Sequence, residues 1–191
     1  MRQATKRLSL FGSIRALTMT AMLIATSVVI GIFCKTFLNF GLGLFRITFE
    51  NLPILTAGLM FGPVIGGLAG AATDMISYFL SPQVYPINPL VTLGAAAIGV
   101  VSGFMSHYAF KKPGYARIIL SCLPAHAVGS MILKTIGLYQ FYGWAVLWRF
   151  PLYAVIAAVE ITLLCLMYKS KAVRSLMDGS EGGMHEHRSS T

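Results

Sequence analysis

The side chains able to do chemistry here are few, and they interrupt otherwise apolar runs: Arg46, Glu50, Asp74, His126, Lys134, Arg149 and Glu160. Runs this apolar can cross a bilayer, and an ionisable group inside one costs at least ~2.5 kcal/mol on insertion scales. Such a group faces a protein interior or a water-filled cavity, so each one points to a partner or a solute. Arg46 and Glu50 stand one helical turn apart. Depth divides the set, since at a rise of about 1.5 Å per residue Asp74, His126 and Glu160 fall roughly 13 to 17 Å from one end of their helices. That places them near mid-bilayer, where they can pair with one another. Arg46, Glu50, Lys134 and Arg149 fall near the opposite surface, beside Tyr85, Tyr139, Tyr142, Trp144 and Trp148.

Two readings fit the outer group. Aromatic belts and snorkelling cations are ordinary at helix ends, and they account for Trp144, Tyr142 and Lys35. Arg46, Lys134 and Arg149 are less ordinary, because cations are scarce on that side. With the aromatics they suit a planar, anionic solute, whose rings stack while guanidinium forks hold its carboxylates. Asp74 serves either as a structural hydrogen-bond acceptor or as an acid for a ligand's N–H donors, with Tyr78 one turn outward on the same face. Gly70 and Gly66 continue that row as a ridge for close helix packing. His126 and Glu160 read as an internal polar pair or as pocket and coupling residues.

Six apolar stretches position these groups: near 13 to 34, 47 to 61, 63 to 80, 89 to 110, 116 to 137 and 145 to 168. Gly62 and Pro63 divide the second from the third, because proline suits a helix start and glycine the turn before it. Ser81, Pro82, Pro86, Asn88 and Pro89 break the chain again. The expected fold is an all-α bundle of six transmembrane helices over residues 13–170, between a cytoplasmic segment 1–12 and a disordered polar tail 171–191.

The 191 residues are 56% hydrophobic and 11% charged, with a mean hydropathy of +0.73. A soluble domain of this length could not bury so much apolar surface. The net charge of +9 would suggest nucleic acid, but the cations lie at the ends of apolar runs and not in a stripe with aromatics, so no nucleic-acid partner is expected. Lys and Arg resist translocation and collect on the cytoplasmic side. Arg2, Lys6, Arg7, Arg15, Lys111, Lys112, Arg117, Lys169, Lys171, Arg174 and Arg188 share one side when both termini are cytoplasmic. Only Lys35, Arg46, Lys134 and Arg149 then lie outside. The first span is retained, since its length and the spans after it do not suit a cleaved signal. Cys34, Cys122 and Cys165 lack metal-type spacing and read as core residues, and His185 and His187 lack a third ligand, so no metal site is expected. A phosphate-binding P-loop, a nucleophile elbow and an HExxH pair are all missing from the sequence.

The segment FRITFENLPILTAGLMFGPVIGGLAGAATDMISYF, Phe45 to Phe79, resembles the most characteristic stretch of the substrate-binding S-components of energy-coupling-factor importers, above all their folate-type branch. The likeness extends to six short helices, a basic first turn, Ala21-Met22-Leu23-Ile24-Ala25, and Arg149-Phe150-Pro151 opening the last helix. It covers everything but the tail. The resemblance implies capture of a vitamin, here folate, in a pocket near the outer side of a bacterial plasma membrane. It implies docking through the first helix, with Ala21 and Ala25 as contact residues, on a membrane scaffold subunit coupled to two cytoplasmic ATPases. ATP is then used by those partners, and this chain binds no cofactor. Carried over, Arg46, Glu50, Asp74, Tyr78, Lys134, Tyr139, Trp148 and Arg149 are the expected pocket residues.

A pocket carried by a body that moves as a whole would need no internal repeat, and none is visible. The alternatives are an S-component for another vitamin or precursor, such as riboflavin, pantothenate or a queuosine precursor, and a membrane enzyme. An enzyme would need acid, base or metal groups at one depth. Asp74, His126 and Glu160 are the only such trio and include a single histidine, so catalysis is not expected.

Overall fold

A computed structural model describes residues 14–40, 45–80, 88–110, 114–171 and 173–174, without the side chains of Arg15 and of hairpin residues 39, 40, 45 and 46. The amino-terminal segment, Lys111 and Lys112, Tyr85 with its loop, and the tail from residue 175 with its two histidines lie outside the described residues. Among the described residues seven α-helices carry the fold: α1 (Ile14–Phe37), α2 (Asn51–Phe61), α3 (Pro63–Leu80), α4 (Pro89–Phe104), α5 (Tyr115–His126), α6 (Thr135–Tyr142) and α7 (Arg149–Lys169). A two-residue hairpin, β1 (Asn39–Phe40) against β2 (Phe45–Arg46), joins α1 to α2. The described residues are therefore all-α but for this pairing.

Among the described residues four helical stretches are long and apolar enough to cross a membrane: Ala16–Phe37, Pro63–Leu80, Pro89–Ala109 and Tyr115–Lys169. The last is 55 residues long. Straight, it would reach roughly 80 Å, more than twice a bilayer's hydrocarbon core. Gly143 interrupts it with a φ of 55°, a conformation that favours glycine. A 3-10 turn, Gly143–Trp148, then leads into α7. Helix α2 has 11 residues and is buried along almost its whole length.

The core lies around α2. Ile54, Leu55, Leu59 and Met60 pack against Ile98 of α4, Ile118, Cys122 and Ala125 of α5, and Leu164 and Tyr168 of α7. Many large apolar side chains point the other way, among them Met22, Val29, Phe79, Phe104 and Val155. An apolar exterior around a packed interior is what lipid as solvent demands. The most extensive helix pair is α3 with α4, and glycine makes it possible. A Cβ on Gly66 would stand 2.6 Å from the Gly99 carbonyl oxygen and 2.7 Å from the Gly58 Cα. The ridge read from Gly66 and Gly70 is thus where three backbones meet.

Several boundaries differ from the sequence reading. The second helix was expected from residue 47 but starts at Asn51, because the chain before it is committed to the hairpin: Arg46 pairs with Asn39 and the Ile47 N–H donates to the Leu38 carbonyl. Pro53 is then in the first turn, where its missing N–H costs nothing. The sixth was expected from 145 but starts at Arg149, again with a proline, Pro151, in its first turn. The fifth runs on to Tyr142 through an unexpected π-helical stretch, Ala127–Lys134. Pro124, inside α5, removes one ladder donor just before it, and widened turns are among the adjustments by which membrane helices accommodate such a loss.

Candidate functional site

The π-helical stretch brings Ser130 and Lys134 onto the wall that His126 begins. These three line one cavity with Thr48 and Asn51 from the entry to α2, Val91 of α4, Leu138 of α6, and Arg149, Tyr153 and Ile156 of α7. π-turns within α-helices often mark functional positions, because they re-aim side chains that a regular helix would stack elsewhere. The enclosed volume is ≈ 20 Å³, room for a water or two. Asn88 braces the wall from behind. Its side chain caps α4 at the Leu90 N–H and donates to the Gly137 carbonyl of α6.

Four buried ionisable groups are paired two by two. Lys134 Nζ donates to Asn51 Oδ1 at 3.1 Å and lies 3.7 Å from Glu50 Oε1. Glu50 is itself seated against α1: Ser27 Oγ donates to its carbonyl, and a Cβ on Gly31 would stand 2.8 Å from its Oε2. His126 Nε2 and Glu160 Oε2 are 3.0 Å apart, at ion-pair distance, with Glu160 fully buried.

Arg149 is different. It is 4% exposed, and its Nε has no hydrogen-bond partner among the described residues. Its guanidinium lies 5.3 Å from the ring centroid of Tyr153, one turn along the same helix. A tyrosine face offsets part of the cost of burying a cation, but it is no substitute for a carboxylate. A buried guanidinium on a cavity wall is equipped to fork onto an anion entering from outside.

The other expected pocket residues lie elsewhere. Asp74 Oδ2 accepts a hydrogen bond from Thr92 Oγ1 at 2.7 Å, linking α3 to α4, and does not line the cavity. Tyr78, half-buried on α3, meets Phe79 edge-on. Tyr139 is exposed, edge-to-face with Trp144 at 5.9 Å, and Trp148 is 71% exposed. Arg46 enters the structure through its backbone in β2, and its side chain lies outside the described residues. Ala21 and Ala25 sit on the outward face of α1. Sequence reasoning did not single out Thr48, Asn51, Ser130 or Tyr153. Spacing carried a signal for two of them: Ser130 falls midway between His126 and Lys134 in steps of four, and Tyr153 lies four residues after Arg149. Among the described residues, three or more His, Cys, Asp or Glu side chains nowhere come together as metal ligands would.

Comparison with known proteins agrees with this architecture. Residues 15–177 match the family model described as "ECF transporter, substrate-specific component". A relative, the folate transporter FolT of Clostridium novyi (strain NT), is 29% identical over 110 residues, which span 58% of this chain and 62% of that protein, less than two thirds of its length. A solved structure described as the crystal structure of FolT bound with folic acid superposes with a TM-score of 0.63, at 24% identity, over 79% of this chain and 90% of that one. At that identity the likeness is one of fold. With the family match running from the first helix past the last, this chain belongs to the substrate-specific components of ECF transporters.

Proposed function

We propose that this protein captures folate, or a vitamin that likewise joins a flat heterocycle to a carboxylate tail, from outside the cell for ATP-driven uptake. The observation that carries the reading is Arg149: a cation buried in the cavity wall, lying over Tyr153, with no acid beside it among the described residues. An uncompensated buried charge costs several kcal/mol, so such a site favours a ligand that brings the opposite charge. The names of the FolT relative and of the folate-bound neighbour support the choice of vitamin.

In this reading Arg149 stands at the anionic end, Lys134 lines the same cavity but is held by Glu50 and Asn51, and Tyr153 offers a ring face. Arg46, Asp74, Tyr78, Tyr139 and Trp148 remain proposed contacts, made once the loops part. The cavity of ≈ 20 Å³ is far below the roughly 300 Å³ or more that a drug-sized ligand occupies. Admission therefore requires the walls to separate. On the same reading the lysine and arginine distribution puts both termini in the cytoplasm and requires an even number of passes, the apolar stretches make that number six, and the family likeness makes the membrane a bacterial plasma membrane. Ala21 and Ala25 on α1 then meet a scaffold subunit, and two cytoplasmic ATPases of the same complex hydrolyse ATP.

A vitamin panel applied to the purified, detergent-solubilised chain tests the reading by thermal shift and calorimetry. Folate should bind tightly with no ATPase present. Binding of riboflavin, pantothenate or a queuosine precursor in its place would overturn the choice of folate.

A further inference from the structure

Lys134 and Arg149 line the same cavity, but their charges are not equally available. Lys134 is neutralised by Glu50 Oε1 at 3.7 Å and hydrogen-bonded to Asn51 at 3.1 Å. Glu50 is not a loose counter-ion: it is buried, its carbonyl accepts from Ser27, and its Oε2 occupies the space that Gly31 leaves free. Moving it would strip a buried acid of its partner, which costs several kcal/mol. Arg149 has no such acid among the described residues.

We infer that Glu50 is a specificity-determining residue that withdraws Lys134 from anion binding, so that the cavity engages one ligand carboxylate, at Arg149, and no second one. This rests on the folate reading and extends it. Folate ends in glutamate and carries two carboxylates. One would meet Arg149, and the other would remain toward water, where further substitution is tolerated.

The test uses the full chain in nanodiscs and three probes: folate and its two glutamate mono-amides, which keep the shape and lose one charge each. Wild-type protein should bind the better mono-amide within about threefold of folate, a difference under 1 kcal/mol. Glu50→Gln frees Lys134, and preference for folate over that mono-amide should rise to about tenfold, equivalent to 1.4 kcal/mol. Glu50→Gln with Lys134→Gln removes the pair at no change in net charge and should restore the wild-type ratio. A large loss with both mono-amides on wild-type protein would overturn the inference, because both carboxylates would then be engaged. So would a Glu50→Gln shift that is equal for folate and mono-amide, which a purely structural role would give. Should Glu50→Gln fail to fold, the wild-type ratio and the double variant still decide. Wild-type protein that binds none of the three overturns the folate reading together with the inference, an outcome distinct from either of the others.

Discussion

His126 Nε2 lies 3.0 Å from Glu160 Oε2, and the fully buried pair ties the start of the π-helical stretch to the middle of α7. Removing one partner leaves the other charge, or an unpaired acid, in a medium that cannot solvate it. His126→Ala should therefore cost about 3–5 kcal/mol. Replacing both residues with leucine should cost clearly less, because no orphaned polar group remains. Thermal unfolding in one detergent, read for the single and the double variant, checks the order. A double variant as unstable as the single one would mean that volume, not charge, holds α5 and α7 together here.

Arg149 should behave as an anchor for charge. Arg149→Ala should weaken binding of intact folate by roughly 100-fold, within the 2–5 kcal/mol expected when one partner of a buried charge pair is removed. A pterin lacking the glutamate should lose much less. Arg149→Lys should recover only part of the loss, since an ammonium cannot reproduce the planar fork. Equal losses for the two ligands, measured calorimetrically, would move Arg149 away from the carboxylate.

How much of this was readable beforehand depended on what kind of signal each feature leaves. The α3 boundaries, Pro63 and Leu80, follow from Gly62-Pro63 and from where the apolar run stops, and both are written in residue type. Arg149 and Lys134 stood out because charge is rare in a chain like this one. Thr48, Ser130 and Tyr153 did not, since neutral polar residues occur throughout membrane helices with ordinary backbone bonds, as Thr18, Thr26 and Thr36 do here. The π-helical stretch was hidden for a different reason. Pro124 announces a disturbed ladder, but whether the helix kinks, breaks or widens depends on neighbours that sequence does not position. The start of α2 differs from the sequence reading because Arg46 and Ile47 are held by Asn39 and Leu38, a pairing that residue type does not announce.

The glycine seam between α3 and α4 yields a packing prediction. A Cβ on Gly99 would be driven into the Gly66 carbonyl, and one on Gly103 would stand 2.5 Å from Pro63 N. Backbone is the obstacle in both cases, so no side chain can swing aside. Gly99→Ala should destabilise by about 1–3 kcal/mol, the usual range for overpacking. At Gly114 a Cβ would meet nothing within 4 Å, so Gly114→Ala carries only the cost of a φ of 156°, at the edge of the region that favours glycine. Melting temperatures of the two variants against wild type provide the check, with Gly99→Ala expected to fall further.

Topology can be tested without a ligand. Single cysteines placed near residues 42, 84 and 143 should react with a membrane-impermeant maleimide in intact cells carrying a chain otherwise free of cysteine. Cysteines near 112 and beyond 175 should react only after lysis. The reasoning is the asymmetry of Lys and Arg between the two sets of connections. Labelling of the 112 position from outside would require an odd number of passes before it and would remove the six-span arrangement.

Substitution at Ala21 and Ala25 should separate binding from transport. Both lie on the outward face of α1, while the buried face of the same helix carries Ser27 and Gly31 against Glu50. Small residues four apart let another helix approach closely, and association of helices in lipid depends on such contact because no hydrophobic gain is available there. Ala21→Trp with Ala25→Trp adds bulk on a face that is exposed among the described residues, so the fold and the cavity should persist. Folate affinity of the purified variant should stay within about twofold of wild type, a shift of under half a kcal/mol. Uptake of labelled folate by cells that supply the scaffold and ATPase subunits should fall to background. Loss of binding along with uptake would show that this face serves the pocket and not a partner, and retention of both would place the docking surface on another helix.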